Sequence, residues 1–171
     1  MQVYVQQSKS EKVIKMTKII TQADLEQIKV NAANAPRKRA NLNLHDSLDA
    51  NVQRLFIATE PETYIRPHRH SESHKWEMFL VLEGEIDLLI FNDNGELTLR
   101  TKMSPTDTRV AEIPSNTWHT YVVQKPGTLA IEVKEGGYEP TPEKDFASWS
   151  PAENTAQAPA FLEKLRHLKP A

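Results

Sequence analysis

Three histidines and one glutamate stand at spacings that let them converge on a single ion. His68 and His70 are two residues apart, Glu77 follows six intervening residues later, and His119 closes the run IPSNTWH. Side chains alternate faces along an extended chain, so His68 and His70 share a face with Cβ atoms about 7 Å apart. Glu77 opens the next apolar segment, and the Gly84 turn brings that segment back on itself. His119 arrives from a separate strand that follows a proline-led turn. Three imidazoles and a carboxylate suit one divalent transition metal (Fe, Mn, Ni, Co or Zn), and three or four protein ligands leave positions for water or substrate. The chain has no cysteine. Disulfides, thiolate metal sites and a Cys nucleophile are thereby excluded, and any transition metal must rely on His and carboxylate.

Parity along the same segments names further candidates. Arg66 shares the face of His68, with Tyr64 one step further out. Lys75 lies on the Glu77 side, and Tyr121 shares the face of His119. Arg66, Lys75 and Tyr64 are candidate substrate contacts, Arg66 being suited to bidentate recognition of a carboxylate or phosphate. Tyr121 and Glu77 are the candidate proton-transfer groups. Arg54 and Glu132 are possible lining residues, and Trp118 has the parity of an outward-packing ring. His74, in the polar turn SESHK, is the alternative ligand to His68 or Glu77. His45 and His167 read as ordinary structural histidines.

The elements that must position these residues are short strands. From Val52 to Lys134 the chain is rich in Val, Ile, Leu, Thr and aromatics, punctuated by turn residues about every ten positions, which is all-β texture. Strands are expected near 52–59, 63–70, 76–82, 85–91, 96–103, 108–113, 118–124 and 128–134. Asn92-Asp93-Asn94-Gly95 and Lys125-Pro126-Gly127 mark the turns most clearly. Thr21 followed three residues later by Asp24 resembles a capping box, so a helix is expected over 22–34, ended by Ala35-Pro36. The basic run Arg37, Lys38, Arg39 reads as a solvated linker. Phe161, Leu162, Leu165 and Leu168 predict a short amphipathic helix, packed on the barrel or against a second copy. The expected organisation is a possible N-terminal extension over 1–15, with Met16 as a second plausible start, a helical segment over 16–51, a barrel over 52–137 and a proline-rich tail with a helix over 138–171.

The pattern His-x-His, Glu, six residues, Gly, then Pro-x-x-x-x-His resembles the two signature motifs of the cupin superfamily. More narrowly, NLNLHDS, VQRLFIA, RPHRH, FLVLEGE, LLIFNDNGE, IPSNTWHT and EVKEG are similar to the WbuC family of cupin-fold metalloproteins, often associated with polysaccharide gene clusters. The likeness runs from about residue 17 to 166. It implies a mainly β protein, a single cupin (jelly-roll) β-barrel with a short N-terminal and a short C-terminal helix. It also implies a metal held by the residues matching His68, His70, Glu77 and His119, and it implies no established reaction. Two departures stand out. The gap from His70 to Glu77 is longer than usual for the superfamily, and the glycine of the second motif is Asn116, a residue that tolerates left-handed backbone.

Charge and length narrow the function. The chain has 171 residues, with 21 Lys and Arg against 23 Asp and Glu, so no positive field favours nucleic acid or anionic lipid. One domain is the expectation. No apolar run approaches the roughly 18 residues of a membrane span, and the N-terminal residues lack the pattern of a secretory signal, so a cytoplasmic protein is expected. With five glycines and no Gly-x-Ser-x-Gly elbow, nucleotide cradles and serine hydrolysis are disfavoured. The expected function is metal-dependent chemistry on a small sugar or sugar derivative, by an isomerase, epimerase or Fe(II) dioxygenase, or else a non-catalytic module that binds a small, sugar-like or anionic molecule. A homodimer through sheet edges is a further expectation.

Overall fold

The computed structural model describes residues 17–170. Its elements run α1 (Gln22–Asn34), β1 (Arg39–Asn43), β2 (Val52–Thr59), β3 (Glu77–Glu83), β4 (Ile86–Phe91), β5 (Leu97–Met103), β6 (Val110–Ile113), β7 (Trp118–Val123), β8 (Thr128–Glu135) and α2 (Ala158–His167), with a 3-10 turn at Glu143–Asp145. The strands form two antiparallel sheets, β1-β2-β8-β3-β6 and β5-β4-β7, stacked as a jelly roll. The protein is mainly β, as expected. The suggested N-terminal extension lies outside the described residues.

Between the sheets the core is Leu55, Ile57, Phe79, Val81, Ile86, Leu88, Met103, Tyr121 and Val123 with their neighbours. Helices cover the outer faces. Ile28 and Ala32 of α1 pack on Phe56, Ala58 and Leu129, while Ala158, Leu162 and Leu165 of α2 pack on Leu89, Phe91, Leu97 and Val122. Double coverage explains why LFIA in β2 and TYVV in β7 are continuous apolar runs instead of alternating ones. The α1 cap forms as its sequence predicts: Thr21 N–H donates to Asp24 Oδ2 at 2.8 Å, and Thr21 Oγ1 accepts from Asp24 N–H at 3.3 Å.

Register makes the gap between the sheets polar at one end and apolar at the other. Across the larger sheet Gln53, Lys134 and Glu77 lie side by side, then Leu55, Glu132 and Phe79, then Ile57, Ala130 and Val81. The opposing strand β7 contributes His119, Tyr121 and Val123 in the same polar-to-apolar order. The polar end opens as a cavity and the apolar end closes as core.

Two local readings need correction. The segment 63–70 is not a strand. Pro67 has no N–H to give a ladder, and only one bridging pair ties the segment to β7, with His68 N–H donating to His119 C=O at 3.0 Å and His119 N–H returning to His68 C=O at 2.8 Å. Arg39 is not in a solvated linker either. It begins β1, paired with Thr59, and its guanidinium donates to Tyr64 C=O and to both oxygens of Glu153. The partner carboxylate lies more than a hundred residues away, beyond the reach of local reading.

The turn between β3 and β4 needs Gly84. Its φ is +79°, and a Cβ there would lie 2.2 Å from Thr128 Oγ1. Gly84→Ala is expected to destabilise the protein by about 1–3 kcal/mol, visible as a lower urea midpoint with an unchanged slope.

Candidate metal centre

His68, His70, Glu77 and His119 meet at the polar end of the sheets. One ligand atom from each lies within 4.8 Å of the others. Ring centroids are 4.5 Å apart for His68 and His119, 5.3 Å for His68 and His70, and 5.8 Å for His70 and His119. Glu77 Oε2 is 3.0 Å from His70 Nε2 and 3.7 Å from His119 Nε2.

Backbone carbonyls set two of the imidazoles. His68 Nδ1 lies 3.0 Å from Arg66 C=O, and His119 Nδ1 lies 2.8 Å from Thr117 C=O. Each of these nitrogens meets a carbonyl and no N–H, so it carries the proton and each Nε2 is left with a lone pair. This is the tautomer a metal ligand needs, with the outer contact holding the ring in place. His119 Nε2 is also buried with no hydrogen-bond partner among the described residues. A buried acceptor left empty is costly, and a cation among these four groups would satisfy it. The donor set and its tautomers therefore fit a divalent transition metal, with His68, His70, Glu77 and His119 as the residues that would hold it.

Burial and neighbouring charge move the groups of the cluster in different directions. Withdrawal from water, followed by the adjacent His119, pushes His68 down to about 3. Burial works to raise the Glu77 carboxyl, but the Lys134 charge and the adjacent His119 and His70 rings outweigh it and hold it well below the usual range. Burial lowers His119, and the Glu77 contacts more than compensate, raising it. Beyond the cluster the pattern reverses. Burial and then the Glu77 charge raise Glu132, whose carboxylate is 2.5 Å from Lys134 Nζ. Burial, Glu132 and Glu77 raise Tyr121 well above its ordinary value, and its Oη is buried with no hydrogen-bond partner among the described residues.

A cavity of about 390 Å³ opens from this cluster, lined by His68, Glu77 and His119 together with Tyr121, Glu132, Lys134, Gln53, His45, Asn41 and Asn43. Tyr121 thus sits where parity placed it. The substrate candidates do not line this cavity. Tyr64 packs with α2, its hydroxyl donating to Pro151 C=O at 2.9 Å. Arg66 is buried and clamps the later chain, donating to Glu143 at 3.0 Å and to Ala147 C=O at 3.3 Å, with its guanidinium 4.8 Å from the Phe146 ring centroid. The parity argument fails for both because the segment that carries them is not a strand. Lys75 turns to Glu72 at 3.1 Å and borders a separate recess beside His70. His74 is exposed in its turn and lies outside the cluster, Arg54 is exposed, and Trp118 packs on the outer face under Arg69.

Sequence reading missed the strap that holds the ligand segment. Asp145, 2% exposed, accepts from Ser71 Oγ at 2.7 Å and from Arg69 Nε at 3.4 Å. Arg69 N–H donates to Asp145 C=O at 2.9 Å, and Ala147 N–H donates to Pro67 C=O at 2.9 Å. The ligand-bearing coil is thus held from both sides, by β7 and by the strap. Asn116 did carry a readable signal. It adopts φ +59°, and its N–H donates to His70 C=O at 2.6 Å, which joins the two motifs directly.

Tyr64, raised to about 12 by burial, and Tyr121 both keep their protons where an unfolded tyrosine begins to lose its own. Stability is therefore expected to fall as pH rises from about 10 toward 12. Replacing both residues with Phe should flatten that limb in urea titrations at pH 9, 10 and 11, and an unaltered slope would contradict the assignment.

Comparisons place these features among known proteins. A family model described as a domain of unknown function, DUF6016, matches residues 20–103, a span that takes in His68, His70 and Glu77 and stops short of His119. No curated protein matches the chain. Among solved structures, KdgF from a Halomonas species is 16% identical with a TM-score of 0.48, over 61% of this chain and 85% of that one. A sugar phosphate isomerase of the cupin superfamily from Silicibacter pomeroyi is 24% identical with a TM-score of 0.46, over 61% and 64%. The capsular polysaccharide assembling protein CapF of Staphylococcus aureus is 19% identical with a TM-score of 0.47, over 59% of this chain and 30% of its own. At these values no activity passes from them to this chain.

Proposed function

We propose that the protein is a metal-dependent enzyme, an isomerase or epimerase acting on a small sugar or sugar derivative. The observation that carries this reading is the convergence of four ligand atoms within 4.8 Å at the wall of a cavity that also holds acid–base groups. A bound divalent metal would supply Lewis-acid polarisation of a substrate hydroxyl or carbonyl. The similarity of the motifs to the WbuC family supports a substrate from surface polysaccharide biosynthesis.

The protein's own groups then move the proton. Glu77, a candidate for both roles, is committed to the cluster by its contacts with His70 and His119. Glu132 is the better acid–base group because burial and the Glu77 charge raise its carboxyl above the usual range, and Lys134 is in contact to stabilise its carboxylate. Tyr121 offers a second proton at the same wall. The apolar neighbours Leu55 and Ile57 exclude water on the inner side of these groups.

Protein purified without added metal is expected to carry about one divalent transition metal per chain by emission spectroscopy, and His70→Ala should lose it. A wild type below about 0.2 equivalents per chain, well short of that stoichiometry, would overturn the reading. Glu132→Gln should keep the metal and lower kcat by about 10²–10⁴-fold on the sugar turned over by wild type. Tight metal-dependent binding with no turnover and no oxygen consumption across a broad nucleotide-sugar panel would replace the enzyme with a binding module.

A further inference from the structure

The cavity holds a histidine that this function leaves unused. His45 follows β1 by two residues, is 7% exposed and lines the same cavity as the cluster. Its Nε2 is buried with no hydrogen-bond partner among the described residues. The other nitrogen is engaged where β1 leaves the sheet. Leu44 N–H donates to Arg54 C=O at 2.8 Å, but Arg54 N–H donates to His45 Nδ1 at 3.1 Å. The imidazole stands where a ladder carbonyl would otherwise accept.

That substitution decides the tautomer. A protonated Nδ1 would face Arg54 N–H donor to donor and leave that amide without an acceptor, whereas Arg54 C=O is satisfied by Leu44 N–H in either case, so Nδ1 is the acceptor although it also lies 2.9 Å from that carbonyl. The proton is therefore on Nε2. This is the reverse of His68 and His119, whose Nε2 lone pairs face the cluster. His45 presents an N–H donor, buried and unanswered, and such a group persists where a ligand answers it. Tyr121 Oη is a second buried, unpartnered polar atom on the same cavity. Asn41 and Asn43 line it from β1, and no hydrogen bond engages their amides among the described residues.

The rim adds charge. Arg37 and Arg39 both line the cavity and share the single carboxylate of Glu153, so two cations meet one anion. β1 and β3 are three strand spacings apart in the sheet, about 14 Å, and side chains reach inward from both. A molecule the size of one sugar ring bridges that gap, and the cavity volume is ample for it.

We propose that His45 Nε2–H, with Tyr121 Oη and the Asn41 and Asn43 amides, forms a ligand subsite opposite the metal cluster that binds the oxygens of a polyhydroxylated carboxylate, a ligand of the sugar-acid class. The inference deepens the metal-dependent reading and rests on it for the far end of the ligand. The His45 donor itself stands on the β1–β2 geometry.

D-Glucuronate, with D-glucose as its neutral counterpart, serves as the probe, titrated calorimetrically into Mn(II)-loaded full chain. Wild type is expected to bind glucuronate more tightly than glucose. His45→Asn keeps an acceptor for Arg54 N–H but lacks the inward donor, and should weaken glucuronate binding about tenfold with Mn(II) stoichiometry unchanged. His45→Gln, with an amide N–H near the position of Nε2, should recover part of the loss. Unchanged affinity in both variants, no preference for glucuronate over glucose, or no glucuronate binding by metal-loaded wild type overturns the proposal. Imidazole ¹⁵N spectra of the unliganded wild type give a reading independent of any variant's folding: protonated Nε2 on His45 is expected, and protonated Nδ1 overturns the subsite. Failure to take up Mn(II) would refute the metal reading instead, and the same spectra and titrations on metal-free protein still decide the His45 donor.

Discussion

A buried carboxylate governs the polar half of this protein. Glu77 is 6% exposed and stays ionised because Lys134 and two imidazoles surround it. Removing a carboxylate from water costs several kcal/mol unless charge and hydrogen bonds replace the lost solvation. Lys134 delivers that charge from β8 through a register that sets it beside Glu77. The same ammonium holds Glu132 one step inward, so a single lysine serves two acids whose environments drive them in opposite directions. Groups pushed apart in this way, at one wall, are what proton transfer requires.

Two of the three imidazoles around Glu77 take their orientation from backbone carbonyls, and the third, His70, from Glu77 itself. Arg66 and Thr117 carbonyls set the tautomers of His68 and His119. Both carbonyls belong to irregular chain next to prolines or turns, where the backbone is free of the ladder. The segment carrying His68 and His70 is therefore not a strand for a functional reason as well as a steric one. Its fixation is supplied from outside, by Asp145 and by the clamp of Arg66 on the later chain. The proline-rich tail is in this sense part of the site, although it contributes no ligand.

His45 shows how a strand end can be used. Where β1 diverges, an imidazole replaces the missing carbonyl partner of Arg54, and this keeps the ladder satisfied. The same contact protonates the opposite nitrogen and aims it into the cavity. One ring closes a sheet edge and presents a donor, which is why it looks structural from the sequence and serves the cavity in three dimensions.

Local chemistry settled a good deal before any tertiary contact was considered. The capping box began α1 at Gln22, the apolar runs and turn residues marked seven of the eight strands, and spacing joined His68, His70 and Glu77, because each of these rests on residues within a turn or a strand pair; His119, far along the chain, was joined to them largely through the resemblance of the two motifs. The polar-to-apolar gradient was written there too, in Glu77-Met78-Phe79-Leu80-Val81 and in His119-Thr120-Tyr121-Val122-Val123, once alternation is assumed. Tertiary structure decided the rest. Only pairing of β8 with β3 could set Lys134 beside Glu77, and only the return of the tail could bury Arg66 and Tyr64 away from the cavity. The tautomer of His45 and the partner of Arg39 likewise depend on groups brought together by register and folding. Side-chain parity holds only where a ladder enforces it: it placed Tyr121 on β7 correctly, whereas the chain around Pro67 has no ladder and the fold moved Tyr64 and Arg66.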